Sequence, residues 1–246
     1  MILIRSLLFQ IFLIASSFCY SSVILILDLI LRNPPTDRLG NAWGYTNLWA
    51  LRTLCRLDYR VQGFENLPEE PVVVLAKHQS AWETIALRAF LPCNQTWVLK
   101  HELTQIPLFG WTLKRFQSIA IRRSDGRRAM SKLIREGQMA SQKGRWIIVF
   151  PEGTRVAPGT HQRYEIGGAL LAERCDKAVI PIAHNAGEFW GRRSILKYPG
   201  TIDVVIGPLM QTDGKKATEI NAEVEHWIES TVALLPDRLG QLKAAA

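Results

Sequence analysis

Residues 71–84 read Pro-Val-Val-Val-Leu-Ala-Lys-His-Gln-Ser-Ala-Trp-Glu-Thr, an apolar run that ends in a polar turn. The run over residues 71–76 is short, β-branched and opened by proline, which is typical of a buried central strand. His78 follows where this strand should turn into a helix, and Glu83 comes five residues later. Five positions on a regular α-helix set two side chains about 140° apart, so the pair cannot share one helical face. If His78 lies in the turn and Glu83 in the first helical turn, the carboxylate can reach back to the imidazole.

A histidine paired with a carboxylate is suited to acid–base chemistry. The carboxylate fixes the tautomer through one ring nitrogen and leaves the other nitrogen free to take a proton from a substrate hydroxyl. The same residues also fit a helix capping box, with Ser80 as the N-cap and Glu83 bonded to its amide. Capping explains Ser80 and Glu83 but not His78, and the local pattern leaves both interpretations open.

Length and composition limit the chain to one main domain. With 246 residues, 48% hydrophobic and 21% charged, the sequence can build one sizeable α/β core plus an appendage. The 30 Lys and Arg residues against 22 Asp and Glu give a net charge of +8. Such a charge suits a surface that faces anionic lipid, polyphosphate or nucleic acid, and it does not choose among them.

The cysteines and histidines predict neither a disulfide framework nor a metal site. The four cysteines lie far apart with no CxxC pair, at positions 19, 55, 93 and 175. The five histidines show no HExxH or comparable ligand spacing, so we expect no metal. Reduced thiols fit a cytoplasmic catalytic portion.

Residues 1–35 form the predicted membrane-anchoring helix. No charged residue occurs from Ser6 to Leu27, and the apolar run continues to Leu31. About 20 apolar residues span a bilayer, so this helix is long enough, although serines near its middle leave a re-entrant helix open. A cleaved signal peptide is the alternative, but the apolar run extends well past the conceivable cleavage region at 15–17. More arginines follow the run than precede it, which places the main body on the cytoplasmic side.

Residues 36–57 are predicted to form an amphipathic interfacial helix and a linker. From Trp43 to Leu57, apolar residues recur at helical spacing, while Arg52 and Arg56 repeat on a side of their own. A helix in the membrane interface, with its arginines among the headgroups, fits this pattern. An ordinary amphipathic helix packed on the domain fits it equally well.

Residues 58–246 are predicted to form the catalytic α/β domain. Strand-like runs alternate with helical patterns, which favours an α/β sandwich with a mixed, largely parallel sheet. The predicted strands are 59–61, 71–76, 96–99, 119–121, 146–150, 178–183 and 203–206. The predicted helices are 84–90, 107–116, 125–142, 168–175 and 217–235, and residues 239–246 look like a frayed tail.

A second polar segment follows a very apolar predicted strand. Residues 151–155, Pro-Glu-Gly-Thr-Arg, come directly after the run 146–150, and α/β folds place ligand sites at such strand ends. Gly153 allows close backbone approach, Thr154 offers a hydroxyl, and Arg155 can grip a phosphate with two parallel hydrogen bonds. The same residues also make a good generic turn.

Two further cations follow other predicted strands. Lys100 comes after 96–99 and Arg122 after 119–121. If these strands are neighbours of 146–150, the cations would converge on an anion with Arg155. Taken singly, each cation also fits a solvated loop charge.

Several other function classes lack their parts. The sequence contains no GxSxG elbow, Walker lysine loop or GxGxxG fingerprint. Nucleic-acid binding would need basic and aromatic side chains interleaved on one face, and a membrane segment argues against it, so we expect no nucleic-acid partner.

The motifs together resemble those of the glycerolipid acyltransferases. Residues 78–83 are similar to the HX4D block of this family, and residues 150–155 to its FPEGTR block. Weaker similarities at 106–123 and 179–185 occur in the family's order. The resemblance covers roughly residues 60 to 210. It implies a one-domain α/β acyltransferase fold with N-terminal helices partly embedded in the membrane.

The resemblance also implies a reaction and its participants. A fatty acyl group would pass from acyl-CoA or acyl-carrier protein to the sn-2 hydroxyl of lysophosphatidic acid, giving phosphatidic acid. The implied location is the cytoplasmic face of a bacterial inner membrane, and no bound cofactor is implied. Another lyso-lipid acceptor, such as a lyso-ornithine lipid, is the nearest alternative, and a non-catalytic binder of anionic lipid is a more distant one.

The family's roles are carried over residue by residue. His78 would be the general base and Glu83 its orienting partner. The implied phosphate-holding group is Lys100, Arg122, Glu152, Gly153, Thr154 and Arg155. The sequence departs from the family pattern at two positions. Glu83 stands where aspartate is commoner and adds one methylene to the reach, and Glu165 falls where a lysine would be unsurprising, so we assign it no role.

Overall fold

A seven-stranded sheet forms the centre of the computed structural model, which describes residues 1–92 and 94–244. Cys93, one of the four cysteines considered above, lies outside the described residues. The strands, numbered β1 to β7 in chain order, are Leu57–Gln62, Val73–Ala76, Gln95–Lys100, Ile119–Ile121, Trp146–Val149, Val179–His184 and Gly200–Ile206.

The strand order across the sheet is β1-β7-β6-β2-β5-β3-β4. Neighbouring strands pair in parallel except β6 and β7, which pair antiparallel. The prediction of a mixed, largely parallel sheet is therefore confirmed. The central strand is β2, which lies between β6 and β5 and carries the apolar run that precedes His78.

Helices surround the sheet. Among the described residues, α1 to α9 are Ile2–Ile30, Thr36–Ala50, Trp82–Phe90, Phe109–Arg115, Arg127–Gln142, Gly167–Cys175, Ala186–Phe189, Ala217–Leu234 and Arg238–Ala244. The prediction of a frayed tail is wrong as far as residue 244, because α9 docks on the sheet. The Gln241 side chain exchanges two hydrogen bonds with the backbone of Thr201, at 2.7 and 3.2 Å.

The two faces of the sheet pack against different helices, because successive strand residues point to opposite sides. On β2, Val74 and Ala76 join a core that also contains residues of α2 and α3. Val73 and Leu75 join a second core with residues of α5, α6 and α8. The domain is thus a three-layer sandwich, and β2 is buried on both faces.

The helix α2 packs directly on α3. It continues as a π-helical turn over Leu51–Cys55. At Gly44 the two helices approach so closely that an added Cβ would lie 2.8 Å from the amide nitrogen of Ala89. The structure therefore fits the interpretation in which this helix packs on the domain, while Tyr45 and Trp49 remain half exposed or more on its outer side.

The long helix α1 lies against the domain and is tied near both of its ends. Near its start, the Ser6 hydroxyl accepts a hydrogen bond from the Lys197 amide at 2.9 Å. Near its end, Asp28 and Arg115 form an ion pair at 2.6 Å. Helix α1 is long and apolar enough to cross a bilayer, with a mean hydropathy of 2.0, and most of its large apolar side chains are exposed. It is a candidate membrane segment.

Candidate active site

His78 lies in the turn that connects β2 to α3. The Lys77 amide donates to the Ile182 carbonyl at 2.9 Å, which continues the pairing of β2 with β6 up to the turn. The His78 ring stacks on Phe150, which follows β5, with centroids 4.0 Å apart and planes 10° apart. Its side chain is 14% exposed. Stacking and burial together fix the ring orientation.

Glu83 lies in the first turn of α3 and is fully buried. Its Oε1 is 2.8 Å from His78 Nδ1 and also accepts hydrogen bonds from the amides of Gln79 and Ser80, at 2.9 and 2.8 Å. The carboxylate of Glu83 therefore orients the imidazole and also accepts hydrogen bonds from two backbone amides of the turn before the helix. The capping-box interpretation holds only in part, because α3 begins at Trp82 and the Ser80 hydroxyl accepts from the Trp82 amide.

The hydrogen bond to Glu83 sets the tautomer of His78. Burial alone would raise the pKa of the Glu83 carboxyl, but the hydrogen bonds from His78 and the Ser80 amide outweigh it. The net pKa lies below its usual value. An ionised Glu83 accepts a hydrogen bond from the protonated Nδ1 of His78, so the unprotonated Nε2 is left as the basic nitrogen.

A second histidine, His184, supports this turn from behind. It is fully buried, its Nε2 donates to the Lys77 carbonyl at 2.8 Å, and its Nδ1 accepts from the Ala186 amide at 3.2 Å. This pattern requires a neutral ring, and burial accordingly lowers its pKa. We interpret His184 as a support for the backbone beside His78.

Glu152 turns away from the cavity that holds His78. It is 1% exposed, its Oε1 is 2.7 Å from Lys77 Nζ, and its Oε2 accepts the His78 amide proton at 2.6 Å. Burial raises the pKa of its carboxyl to about 7, against the attraction of Lys77. This placement differs from the predicted phosphate contact, since the carboxylate binds the backbone of the histidine turn instead.

A cavity of about 810 Å³ opens beside His78. Four of the predicted phosphate-holding residues line it, namely Lys100, Gly153, Thr154 and Arg155. Arg122 is exposed and does not line it. The strands β5, β3 and β4 are neighbours, as convergence of the cations requires, but the Arg122 side chain is not brought to the cavity.

Arg88 also lines the cavity and is ion-paired with Asp37, whereas two of the predicted phosphate-binding cations have no such partner in the described part of the chain. Within residues 1–92 and 94–244, neither Lys100 nor Arg155 forms an ion pair, and the buried Nε of Arg155 has no hydrogen-bond partner there. The Val156 amide donates to the His78 carbonyl at 2.8 Å, so Arg155 lies next to the histidine turn. The arrangement offers a base and an anion-binding group in one cavity.

Comparisons with known proteins show the family to which the chain belongs. The family profile described as Acyltransferase matches residues 58–185. The chain belongs to the acyltransferase family. A 1-acyl-sn-glycerol-3-phosphate acyltransferase of Pseudomonas aeruginosa is 40% identical over 235 residues, which cover 94% of this acyltransferase and 91% of the relative.

Two more distant proteins are similar to this acyltransferase. A lyso-ornithine lipid O-acyltransferase of Pseudomonas aeruginosa is 30% identical over 142 residues, covering 56% of the chain and 52% of the relative. The crystal structure of the 1-acyl-sn-glycerophosphate acyltransferase PlsC from Thermotoga maritima superposes with a TM-score of 0.79 at 20% identity, covering 94% of this chain and 95% of that one. This second likeness confirms the predicted fold.

The remaining wall of the acyltransferase cavity is mainly apolar. Its apolar part comes mainly from β3, β4, α1, α5 and the segment that contains α4, with the side chains of Ile24, Trp97, Leu99, Phe109, Leu113, Phe116, Ile121, Met130 and Leu133. The charged side chains of Arg88, Glu165, Arg192 and Arg193 also reach this wall. Ligand cavities of several hundred Å³ commonly combine such walls with a few convergent polar groups. The candidate membrane helix α1 therefore contributes directly to the cavity that contains His78.

Sequence reasoning gave no role to Lys77 or His184. A lysine directly after a fully apolar strand is a usable signal, because a buried ammonium needs a carboxylate partner. The signal does not say which carboxylate, since one partner, Glu229, is 152 residues away.

Proposed function

We propose that this enzyme transfers a fatty acyl group from an acyl thioester to the sn-2 hydroxyl of lysophosphatidic acid, giving phosphatidic acid. One observation carries the proposal: His78, held by Glu83, shares one largely apolar cavity with Lys100 and Arg155, which form no ion pair within the described part of the chain. An acceptor with a hydroxyl, a phosphate and an acyl chain needs all three. The name of the relative that is 40% identical supports this acceptor.

His78 acts as the general base in this reaction. Its Nε2 takes the proton of the acceptor hydroxyl while the oxygen attacks the thioester carbonyl carbon. The tetrahedral intermediate then collapses, the C–S bond breaks, and the imidazolium returns the proton to the departing thiolate. Glu83 stabilises the imidazolium between these steps, because its carboxylate is ionised and 2.8 Å from Nδ1.

Arg155 and Lys100 bind the phosphate of the acceptor. A guanidinium can hold two phosphate oxygens with parallel hydrogen bonds, which fixes orientation as well as position. Gly153 and Thr154 precede Arg155 on the cavity wall and offer their backbone and a hydroxyl. Holding the phosphate here places the glycerol hydroxyl near His78, and such alignment lowers the barrier of a two-substrate reaction.

The acyl donor and the membrane complete the proposal. The donor is an acyl thioester carried by CoA or by acyl-carrier protein, and the apolar wall accommodates a fatty chain. In this proposal the enzyme lies at the bacterial inner membrane with its catalytic domain on the cytoplasmic face, and the long apolar helix α1 supports the membrane attachment. Acceptor and product are then both membrane lipids.

The test is a panel of donors and acceptors with the purified enzyme and His78→Ala. Acyl-CoA and acyl-carrier protein are each offered with lysophosphatidic acid, a lyso-ornithine lipid and lysophospholipids. We expect phosphatidic acid to be the main product and His78→Ala to lose on the order of 10²- to 10⁴-fold in kcat. His226→Ala, which removes an exposed histidine of α8, should retain full activity.

Other results of the panel would overturn parts of the proposal. Preferred acylation of a lyso-ornithine lipid would replace the acceptor. Near-normal turnover by His78→Ala would exclude it as the base. Binding of phosphatidic acid without any turnover by the wild-type protein would indicate a lipid-binding protein.

A further inference from the structure

A buried lysine links the catalytic turn to the last long helix. Lys77 directly precedes His78 and is 1% exposed. Its Nζ is 2.7 Å from Glu152 Oε1 and 2.7 Å from Glu229 Oε1, on α8. A buried ammonium is strongly destabilising unless it is paired, so these two contacts fix where Lys77 can lie.

The link continues from Lys77 to the backbone of His78 through Glu152. One oxygen of this carboxylate binds Lys77, and the other accepts the His78 amide proton at 2.6 Å. On the other side of the same residue, the His78 carbonyl accepts from the Val156 amide at 2.8 Å. The segment that begins with Glu152 thus holds both backbone polar groups of the catalytic residue.

The outer end of the link is also fixed. The hydroxyl of Tyr164, itself 3% exposed, donates to Glu229 Oε1 at 2.7 Å. The Glu229 side chain is 25% exposed, so it can lose its charge with less disruption than a fully buried group. Its position depends on α8, which has no residue on the cavity wall among the described residues.

We propose that Lys77 and Glu229 are positioning residues for His78, acting through Glu152. Lys77 draws Glu152 into the one position where its second oxygen meets the His78 amide, and Glu229 holds Lys77 there. Loss of either contact lets the catalytic imidazole move relative to the bound acceptor. The proposal rests on the proposed function, because it assumes that His78 is the base.

The test compares Glu229→Gln, Lys77→Met and the double variant by steady-state kinetics with lysophosphatidic acid. A displacement of about 1 Å can cost on the order of 10²-fold, so we expect kcat to fall about 10- to 100-fold in each variant. The acceptor KM should stay within about twofold, because the phosphate-binding side chains are unchanged. If both residues act along one link, the double variant should be no slower than the slower single variant.

Matched controls come from an exposed ion pair. Lys215 and Glu223 lie 2.7 Å apart, with side chains 37% and 46% exposed. Lys215→Met and Glu223→Gln repeat the same chemical changes on and beside α8, and we expect unchanged kcat. Thermal midpoints and rates per folded enzyme are recorded for every variant. If Lys77→Met does not fold, Glu229→Gln alone decides the question.

The outcomes separate a positioning role from a structural one. A lower midpoint with unchanged kcat per folded enzyme would overturn the proposal, as would a raised KM at unchanged kcat or multiplicative losses in the double variant. Failure of the proposed function is recognised separately, as wild-type enzyme without transfer or His78→Ala with transfer. Normal transfer by both wild type and Glu229→Gln, with an inactive His78→Ala, would overturn only this inference.

Discussion

The two segments that build the site treat their polar groups in opposite ways. In the turn 77–83, the working groups are bonded to protein: His78 to Glu83, and Glu83 to two backbone amides as well. In the second segment, residues 151–155, Arg155 has no ion-pair partner among the described residues. In the proposed reaction, the groups that must hold one geometry are fully hydrogen-bonded to protein, and the cation that would bind the phosphate is left available.

The largest effect on activity should come from a substitution of Glu83 in the hydrogen-bonded turn 77–83. Glu83→Gln keeps the size of the side chain but removes the charge that stabilises the His78 imidazolium. We expect kcat to fall on the order of 10²- to 10³-fold with little change in the acceptor KM. Steady-state kinetics against Glu223→Gln, an exposed control, measure this. A change confined to KM would show that Glu83 does not act through the base.

A smaller effect, on the acceptor KM, should come from a substitution of Arg155 in the segment 151–155. Arg155→Ala removes a charged hydrogen-bond donor for the phosphate, and we expect the acceptor KM to rise about 10- to 100-fold. Arg135→Ala is the control, because Arg135 is an exposed residue of α5 with a side chain 72% exposed. An unchanged acceptor KM in Arg155→Ala would remove Arg155 from the phosphate site.

Glu152 connects the two segments through its hydrogen bond from the His78 amide, and its titration should make the free energy of unfolding depend on pH. The Glu152 carboxyl has its pKa raised from 4.5 to about 7, so the folded protein binds its proton more tightly than the unfolded chain. Its contribution to the free energy of unfolding is therefore fully present below about pH 4.5 and is lost as pH rises through about 7. The expected loss is on the order of 3 kcal/mol.

Comparison with Glu152→Gln, which cannot titrate at this position, isolates that effect. Thermal midpoints of both proteins are measured in detergent from pH 4.5 to 8. We expect the wild-type midpoint to fall relative to that of the variant by roughly 5 °C or more across this range. A constant difference between the two proteins would show that Glu152 does not titrate there.

The smallest effect should come from Arg122. The sequence predicts that it joins the phosphate site because it follows a strand end, but its exposed side chain does not line the cavity. We expect Arg122→Ala to change the acceptor KM by less than about twofold, as for most surface substitutions. An increase comparable to that of Arg155→Ala would return Arg122 to the site.

The sheet could be predicted because its strands have recognisable local sequence patterns. The run before His78 is buried on both faces at the centre of the sheet, and such strands read as continuous apolar, β-branched runs. The helix α9 has no clear sequence signal because it spans only seven residues and contains Gly240, and its docking depends on the contact of Gln241 with Thr201. Contacts of this kind have no local signature.

The site was predictable to the extent that backbone position decides it. His78, Glu83 and Arg155 follow strand ends or begin a helix, and the structure brings them to one place. The side-chain directions of Glu152 and Arg122 were not available from the sequence, since neighbouring residues of one motif can face opposite ways. The partners of Lys77 were out of reach because they come from distant parts of the chain.

The contact between Lys77 and Glu229 also has a consequence for how the protein is made. The two residues are 152 positions apart, and synthesis proceeds from the amino terminus, so the apolar α1 and the histidine turn leave the ribosome long before α8 exists. The turn receives its full support only when the last long helix docks. A nascent chain that ends before α8 thus contains every motif residue of the site but lacks the Glu229 contact that secures Lys77.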